Sequence, residues 1–380
     1  MIAFEWEDAE LYARTLAFAE SVLAPGSSER IRAATFDREL WQRAGAFGLA
    51  GLPAPKTHGG MGLGAAESAH LLEALGRGCD DAGLLFSLAA HLFACVVPLA
   101  RFGTDAQKAR LLPRLASGEL IGANAISEAG AGSDVFALAC RAVRDGDAYV
   151  LDGEKSWVTN GPVADVFLVY AKTDPNAGYF GVSAFVVEKE RPGLRVGQPI
   201  RKVGLETSPT CSLYFDACRV PEENLLGQVG QGAPLFEHAM SWERSCLFAL
   251  YLGRMQTALE RAISHAQTRR QFGHALGDFQ AVSHRIADMK VRLEAARALL
   301  YRACFKLDRN EDARLDVAMA KLFVSEAAVQ SGLDVMQLFG GLGVTNDGGI
   351  ERFLRDALPA RTVSGSSEIQ RNLIARALGL

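Results

Sequence analysis

The spacing of apolar residues changes twice along this chain, and that order of patterns limits the folds it can adopt. From Glu5 to about Gly118, apolar residues recur three and four positions apart, as in LYARTLAFAESVLA and ELWQRAGAFGLAGL. This spacing is typical of amphipathic helices. The segment TDAQKARLLPRLASG predicts a further helix, with Thr104 as its N-cap. We therefore predict a helical first domain, residues 1–119.

Residues 120–228 carry the pattern of β-strands instead. The segment ALACRAVRDGDAYVLDGEKSWVTN predicts three strands joined by two Asp-Gly turns. Three further segments rich in Val, Phe and Tyr predict additional strands: ADVFLVYAKTD, SAFVVEKE and CSLYFDACRVP. Meandering strands of this kind favour a small antiparallel barrel or sandwich.

Long helical patterns return in residues 229–380. Four segments predict long helices: FEHAMSWERSCLFALYLGRMQTALERAISHAQTRR, DFQAVSHRIADMKVRLEAARALLYRACFKLD, RLDVAMAKLFVSEAAVQSGLDVMQLFG and SSEIQRNLIARALG. Helices of this length with few breaks indicate a four-helix, up-and-down bundle. The fold class is therefore α+β, in the order helical domain, β domain, helical bundle.

Composition excludes several classes of protein. The net charge is −4 and no Lys/Arg-rich run occurs, which argues against a nucleic-acid partner. The seven cysteines include no C-x-x-C pair, so we expect buried reduced thiols and no metal site. The N-terminus, MIAFEWEDAELYA, lacks a signal-peptide pattern. The apolar run Leu84–Leu99 is interrupted by Ser87, His91 and Pro98, so we expect it to be too short and polar to span a membrane. A cytoplasmic protein without a membrane partner is predicted.

Two segments of the β region could hold a cofactor. In NAISEAGAGSD, a glycine-rich turn follows a short strand and could present backbone N–H groups to a phosphate. In GEKSWVTNGPVAD, Trp157 could cover one face of a flat cofactor. Taken singly, each has a plainer explanation, because glycine-rich turns are mostly structural and a strand tryptophan is more often a core residue.

Taken together with later motifs, these segments carry a resemblance that spans essentially the whole chain. The run SEAGAGSD…GDAYVLDGEKSWVTNGPVADVFLVYAKTD resembles the β domain of the acyl-CoA dehydrogenase family. The motifs RRQFGHALGDFQAVSHRIADM, MQLFGGLGV and SSEIQRNLIARALG follow in the family's order. The resemblance implies bound FAD and a homotetramer built as a dimer of dimers.

The resemblance also implies positions for the cofactor. Ala125, Ile126 and Ser127 would line the flavin, Gly132 and Ser133 the pyrophosphate, and Trp157 and Thr159 the isoalloxazine, with Thr159 near N5. Two further segments match family segments that reach the FAD of a neighbouring subunit. The first contributes Arg269, Gln271 and Phe272, and the second contributes Gln337, Gly340 and Gly341. Ser366 and Glu368 match positions that hold FAD near the C-terminal helix.

The sequence departs from many family members at the position of the catalytic base. Those members place a glutamate near the C-terminus, where this chain has Ser364 in TVSGSSEIQ. A second subgroup places it on the long helix after the β domain, where SWERSC puts Glu243, followed by Arg244. Glu243 could instead be a solvated helix residue paired with Arg244 or with Arg261. Its apolar neighbours favour the catalytic role, because desolvation raises the pKa of a carboxylate toward that of a general base.

Glu128 and Glu368 are weaker candidates for the base, since both lie within cofactor motifs. The resemblance implies that Glu243 takes the α-proton of an acyl thioester while hydride leaves the β-carbon for flavin N5. The thioester carbonyl would accept hydrogen bonds from the flavin ribityl hydroxyl and from the backbone N–H of Ser364. Arg244 matches a common family arginine beside this position.

Within the family, four segments resemble the subgroup that oxidises L-prolyl groups on carrier proteins toward the pyrrolyl level: LLFSLAAHLFACVVPLARFG, SWERSCLFALYLG, ALLYRACFKLD and SEAAVQSGLDVMQLFGG. A short- or branched-chain acyl-CoA dehydrogenase, or a carrier-protein dehydrogenase of a polyketide pathway, is the alternative. Trp242, Phe248 and Tyr251 could shorten the acyl pocket, or could be ordinary core aromatics. The electron acceptor, a transfer protein or O2, stays open. A flavin monooxygenase and a non-enzymatic scaffold are the rival classes.

Overall fold

The computed structural model describes residues 9–380, so the predicted helix start at Glu5 and the acidic N-terminus lie outside the described residues. The first part is helical, as predicted. Its α-helices are α1 Ala9–Phe18, α2 Ser27–Ala33, α3 Arg38–Phe47, α4 Ala65–Gly78, α5 Ala82–His91, α6 Val97–Phe102 and α7 Asp105–Ala116. The predicted cap of α7 is confirmed: the N–H of Gln107 donates to Thr104 Oγ1 (3.2 Å), and the Gln107 side chain accepts from the Thr104 N–H (3.0 Å).

The apolar run after Asp81 corrects one expectation. α5, a π-helical turn at Leu92–Val96 and α6 form one helix of 21 residues, Ala82–Phe102, which is long and apolar enough to cross a membrane. The expectation that it is too short and polar was therefore wrong. Almost all of this helix is buried within the protein, as in the core helix of a soluble protein. Its two polar interruptions, Ser87 and His91, are fully buried there, and Pro98 is buried as well.

The middle of the chain forms an eight-stranded sheet with strand order β6-β7-β3-β2-β4-β5-β8, and β1 pairs with β4. The strands are β1 Gly122–Ala125, β2 Arg141–Asp145, β3 Ala148–Thr159, β4 Val166–Lys172, β5 Val182–Glu188, β6 Leu194–Val196, β7 Thr210–Pro221 and β8 Leu225–Leu226. The predicted antiparallel sheet is correct for most pairs. However, β1 and β2 both pair with β4 in parallel, so the sheet is mixed.

The second predicted Asp-Gly turn is wrong. β3 runs on through Asp152 and Gly153, with an irregular register against β7 at that point. Gly153 has φ +139°, and a Cβ there would lie 2.8 Å from Cα of Cys140. The glycine therefore permits a bulge and a close approach of two backbones rather than a chain reversal. The first Asp-Gly pair does form the β2–β3 turn, with Gly146 at φ +60°.

The C-terminal part is helical again: α8 Gly232–Trp242, α9 Ala249–Thr268, α10 Gln280–Asp308, α11 Arg314–Phe339, α12 Ile350–Ala357 and α13 Ser367–Ala377. α9, α10 and α11 pack against one another, and α13 packs along α11. The single long helix predicted from FEHAMSW onward is interrupted by a π-helical turn, Glu243–Leu247, between α8 and α9. A two-stranded hairpin, β9 Arg270–Gln271 and β10 His274–Ala275, separates α9 from α10.

Two glycines hold the N-terminal and C-terminal helices in backbone contact. A Cβ on Gly76 of α4 would lie 2.1 Å from the carbonyl oxygen of Leu250, and one on Gly253 of α9 would lie 2.1 Å from that of Glu73. No side chain separates the helices at this crossing. All seven cysteines are buried and unbonded to each other, which confirms the prediction of reduced thiols.

Candidate active site

Glu243 opens the π-helical turn between α8 and α9. The wider turn changes the register of the helix where this glutamate leaves it, and such single-turn π segments are frequent at functional sites. Glu243 is only 9% exposed, so it is not the solvated surface residue that the sequence left possible. The π-helical turn of the first long helix, Leu92–Val96, packs against the same turn.

Ser364 is the direct partner of Glu243. Its Oγ donates a hydrogen bond to Oε1 of Glu243, which joins the two positions where the family places its base. Ser364 has φ +56°, a left-handed conformation that is uncommon for a residue with a side chain. The next residue, Gly365, is also left-handed, at φ +89°. Nε of Arg244 donates to the Ser364 carbonyl oxygen (2.8 Å) and so fixes this peptide beside the carboxylate.

The electrostatics of this pair suit proton transfer. Burial raises the pKa of Glu243 above its usual value. The Ser364 hydroxyl, and then the positive charges of Arg244 and Lys321, act in the opposite direction and favour the ionised form. A carboxylate with a raised pKa and a hydrogen-bond donor that holds its orientation has the properties of a general base.

The two predicted cofactor segments lie side by side. The N–H of Ser156 donates to the carbonyl oxygen of Ser127 (2.8 Å), and Nζ of Lys155 donates to that of Ile126 (3.1 Å). Lys155 also forms a buried ion pair with Glu128 (2.7 Å). Ala125 ends β1, and both it and Ile126 are buried. The short strand and the tryptophan-bearing strand are thus held in one arrangement.

Glu128 has the structural role that its place in the motif indicated. Its two carboxylate oxygens accept from the N–H groups of Ala139 (2.6 Å) and Cys140 (2.9 Å). Burial raises the pKa of Glu128, but these amides and the Lys155 ammonium together bring it below its ordinary value. A carboxylate that stays ionised and fully occupied with donors is poorly suited to act as a base.

The surface formed by these segments fits a flat cofactor with a phosphate arm. Trp157 is 64% exposed and has φ +60°, so its ring stands away from the sheet rather than in the core. Thr159 ends the same strand and is half-buried. Gly132 and Ser133 are exposed, and a Cβ on Gly132 would meet nothing within 4 Å. An exposed aromatic ring on one segment and an open glycine-rich turn on the neighbouring segment are the features that a flat ring system and a phosphate arm require.

The remaining predicted cofactor residues lie in three places: the β9–β10 hairpin, the end of α11 and the start of α13. Arg269, Gln271 and Phe272 lie at the β9–β10 hairpin and are exposed, with Phe272 92% accessible. Gln337, Gly340 and Gly341 lie at the exposed end of α11. Ser366 caps α13 by accepting from the N–H of Ile369 (3.4 Å), and Glu368 is exposed in its first turn. Their roles in FAD binding stay predictions.

The aromatic residues after Glu243 differ in placement. Phe248 and Tyr251 are fully buried, and Tyr251 donates to the carbonyl oxygen of Asp356 (3.1 Å). These two residues are core aromatics. Trp242 is only half-buried and stacks on Phe93 of the facing π-helical turn, with ring centroids 6.4 Å apart. Of the three aromatics, Trp242 alone is not fully buried.

Sequence reasoning missed two buried lysines, Lys155 and Lys321. Lys321 lies on α11 with no exposed surface, and its Nζ has no hydrogen-bond partner within residues 9–380. The available signal was its place in AMAKLFVSEAA, where a lysine interrupts a run of small and apolar residues on a core helix.

Comparison with known proteins identifies matches along nearly the whole chain. Models of the acyl-CoA dehydrogenase N-terminal, middle and C-terminal domains match residues 6–119, 123–218 and 230–379. An L-prolyl-[peptidyl-carrier protein] dehydrogenase of Pseudomonas fluorescens is 49% identical over 91% of both chains. The solved structure of PigA with FAD and proline has a TM-score of 0.98 and 44% identity, over 100% of this chain and 99% of PigA. The prolyl acyl carrier protein oxidase AnaB has a TM-score of 0.97 and 40% identity over 100% of both chains.

Proposed function

Because this chain belongs to the acyl-CoA dehydrogenase family, we propose that it oxidises the prolyl group of an L-prolyl-S-carrier protein, with FAD as its cofactor. The similarity to an L-prolyl-[peptidyl-carrier protein] dehydrogenase and to PigA with FAD and proline supports this substrate. The reaction removes hydrogen from the α- and β-carbons of the thioester and forms a double bond between them. A second two-electron oxidation, elsewhere in the ring because the α-carbon has then lost its hydrogen, takes the pyrrolidine ring to the pyrrolyl level.

In the proposed mechanism, Glu243 is the base that removes the α-proton. A proton on the α-carbon of a thioester needs a group whose pKa lies near the working pH, and burial raises the pKa of Glu243 in that direction. The Ser364 hydroxyl holds Oε1, so the carboxylate has a fixed orientation toward its substrate. Loss of the α-proton leaves negative charge that spreads to the thioester oxygen, and this charge needs donors of its own.

The backbone N–H of Ser364 is the donor we assign to the thioester oxygen. Arg244 holds the carbonyl oxygen of Ser364 and so fixes the backbone on the C-terminal side of this residue, which has a left-handed conformation. Since only the N–H is used, the loss of the family's glutamate side chain at this position does not affect the role. A single donor to such an oxyanion contributes roughly 2.7–4 kcal/mol of transition-state stabilisation.

FAD is held by residues of the cofactor segments. When bound, the oxidised flavin supplies the acceptor for the hydrogen and electron pair that leave the β-carbon. Trp157 and Thr159 would flank its ring system, Ala125, Ile126 and Ser127 would line it, and Gly132 and Ser133 would receive the pyrophosphate. The half-buried Trp242 would limit the depth of the acyl site, which suits a five-membered ring better than a long chain.

We further propose a homotetramer built as a dimer of dimers. Several large apolar side chains of the C-terminal part are exposed in the single chain, among them Phe272, Val291, Leu333, Leu342 and Val344. Apolar surface of this kind favours burial against another subunit. Arg269, Gln271, Phe272, Gln337, Gly340 and Gly341 would then reach the FAD of a neighbour. Light scattering of the purified holoprotein tests the assembly, and a monomer would refute it.

We propose that the protein is located in the cytoplasm and that its reduced flavin passes electrons either to an electron-transfer protein or to O2.

Anaerobic reduction of the bound flavin tests the substrate. The holoprotein is mixed with L-prolyl-carrier protein or with a panel of short and branched acyl-CoAs, and the loss of flavin absorbance is followed. Bleaching by the prolyl-carrier protein alone is the expected result. Bleaching by a CoA ester and not by the carrier protein would assign the protein to acyl-CoA oxidation and refute the proposed substrate.

A matched pair of variants tests the base. Glu243→Gln should keep FAD bound and abolish substrate-dependent bleaching, because the amide cannot accept the α-proton. Glu237→Gln, an exposed glutamate on the same helix, is the control and should bleach at the wild-type rate. Normal bleaching by the Glu243 variant would remove this residue from the mechanism.

A further inference from the structure

Lys321 is a buried cation whose position the proposed mechanism does not explain. Its side chain has no exposed surface, and Nζ has no hydrogen-bond acceptor among the described residues. Burying an ammonium group without a partner is costly, and such a lysine is uncommon in a core. An apolar residue of similar size would fill the same space without that cost. We therefore look for a function of the positive charge.

The surroundings of Lys321 connect it to the turn that bears Glu243. Nζ lies 5.3 Å from the centroid of the Phe248 ring, and Phe248 directly follows the π-helical turn Glu243–Leu247. α11, which carries Lys321, packs against both this turn and α9. The ammonium is therefore fixed over an aromatic face next to the site rather than on the outer side of the bundle.

The charges around Lys321 come from three elements. Arg244 and Glu243 act on it from the π-helical turn, Glu326 from α11 itself and Glu368 from α13. Burial and then the Arg244 guanidinium lower the pKa of Lys321 to about 7, and the three carboxylates act against this. Arg244 has another partner, because its Nε is bonded to the Ser364 carbonyl oxygen. Lys321 has no such bond among residues 9–380, so its interaction with Glu243 is purely through space.

Glu243 in turn faces few groups. The Ser364 hydroxyl, Arg244 and Lys321 favour its ionised form, and the buried side chains of Cys95 and Tyr170 lie within its field. No other carboxylate appears among the groups that act on it. Among residues 9–380, these two cations are the charges that offset its burial, and Arg244 is held by its hydrogen bond to the Ser364 carbonyl oxygen.

We infer that Lys321 is a positioning residue that, by its charge, keeps the buried Glu243 carboxylate ionised and so sets the acid limit of proton abstraction. This rests on the proposed role of Glu243 as the base. The interaction operates through a poorly polarisable interior, where charges act over longer distances than in water. Lys321 contacts neither the acyl group nor the flavin in this role; it acts through Glu243.

The test is the pH profile of the anaerobic flavin-reduction rate in Lys321→Met and Lys321→Arg holoproteins. The acid limb is the pH range in which the rate falls as the pH is lowered and Glu243 becomes protonated. With the charge removed in Lys321→Met, this limb should move to higher pH by about half a unit to one unit. At a pH on the acid side of the limb, the rate should then be roughly three- to tenfold lower than in the wild type. Rates at high pH should equal those of the wild type. Lys321→Arg keeps the charge and should not show the upward shift.

Stability separates this role from a merely structural one. Replacing an unpaired buried charge by an apolar residue should leave the melting temperature unchanged or raise it. An unshifted limb in Lys321→Met, or the same upward shift in Lys321→Arg, would overturn the inference. Lys321→Gln is a second neutral variant that should behave as Lys321→Met does if the methionine protein does not fold. If the Glu243→Gln protein still reduces its flavin, the proposed role of Glu243 as the base is wrong. If Glu243→Gln is inactive but the pH profiles of the Lys321 variants do not shift as expected, only the role of Lys321 is wrong.

Discussion

Ser364→Ala isolates the hydrogen bond that joins the two family positions of the base. Alanine keeps the Cβ and the backbone N–H, and it is no more strained than serine at φ +56°, so the hydroxyl is the main thing lost. A hydrogen bond to a charged group contributes roughly 1.5–3 kcal/mol. One pKa unit corresponds to about 1.36 kcal/mol, so the pKa of Glu243 should rise by about one to two units.

The direction of the pKa change follows from the fact that the Ser364 hydroxyl favours the ionised form of Glu243. Ser364 donates to the carboxylate and lowers the pKa of Glu243, against the larger effect of burial. Without it the base is protonated over a wider range, and a protonated glutamate cannot accept the α-proton. The acid limb of the reduction rate should therefore move to higher pH. Below the limb the variant should be about 10- to 100-fold slower than the wild type, and the two should converge at high pH.

Stopped-flow measurement of anaerobic flavin reduction, from acid to alkaline pH with saturating L-prolyl-carrier protein, gives this profile. Ser241→Ala is the matched control, since the Ser241 hydroxyl lies on the same helix and donates only to the backbone carbonyl of Glu237 (3.0 Å). The control should keep the wild-type limb. An unchanged limb in Ser364→Ala, or a shift to lower pH, would refute the reasoning.

Two further predictions concern the framework of the site. Lys155→Met leaves Glu128 buried without its cation and should lower the free energy of unfolding, measured by urea titration, by about 3–5 kcal/mol. Adding Glu128→Gln should restore part of this loss, because the buried charge is then gone. Equal stability of the single and double variants would contradict the reasoning. His91 accepts from the N–H of Gly122 and contacts the carbonyl oxygen of Ala50, so it is buried in its neutral form, and burial lowers its pKa from 6.5 to about 4. The unfolded chain therefore binds more protons, and stability should fall by roughly 3 kcal/mol as the pH drops from 6.5 toward 4; His91→Gln should flatten this dependence, and an equally steep fall in that variant would assign it to other groups.

Much of the fold could be predicted from the sequence because its signals are local. The cap at Thr104 and the helices α10, α11 and α13 follow from short-range spacing and side-chain chemistry. The second Asp-Gly pair was misread because a glycine in a bulge and a glycine in a turn have the same local sequence. Only the approach of Cys140 to Gly153, from another part of the chain, distinguishes them.

The site was predictable in part for the same reason. The apolar neighbours of Glu243 indicated its burial, and the structure places it in the core. The contact between Glu243 and Ser364 could not be derived from spacing, because it joins residues far apart in sequence. The π-helical turn was also hidden, since an extra residue in a helix leaves the surrounding pattern almost unchanged. Lys321 was passed over because its position relative to Glu243 depends on the packing of α11.

The crossing of α4 and α9 has a mechanical consequence. At Gly76 and Gly253 the two backbones touch, and no side chain is available there to rotate or slide. The helix that continues from Glu243 is therefore anchored to the N-terminal layer a short way along its length. We therefore expect the Glu243 carboxylate to move little when its substrate binds. The group that links the acyl thioester to its carrier protein must then be long and flexible enough to bring the α-carbon to the base. A carrier protein with a shortened linking group should bind but fail to react.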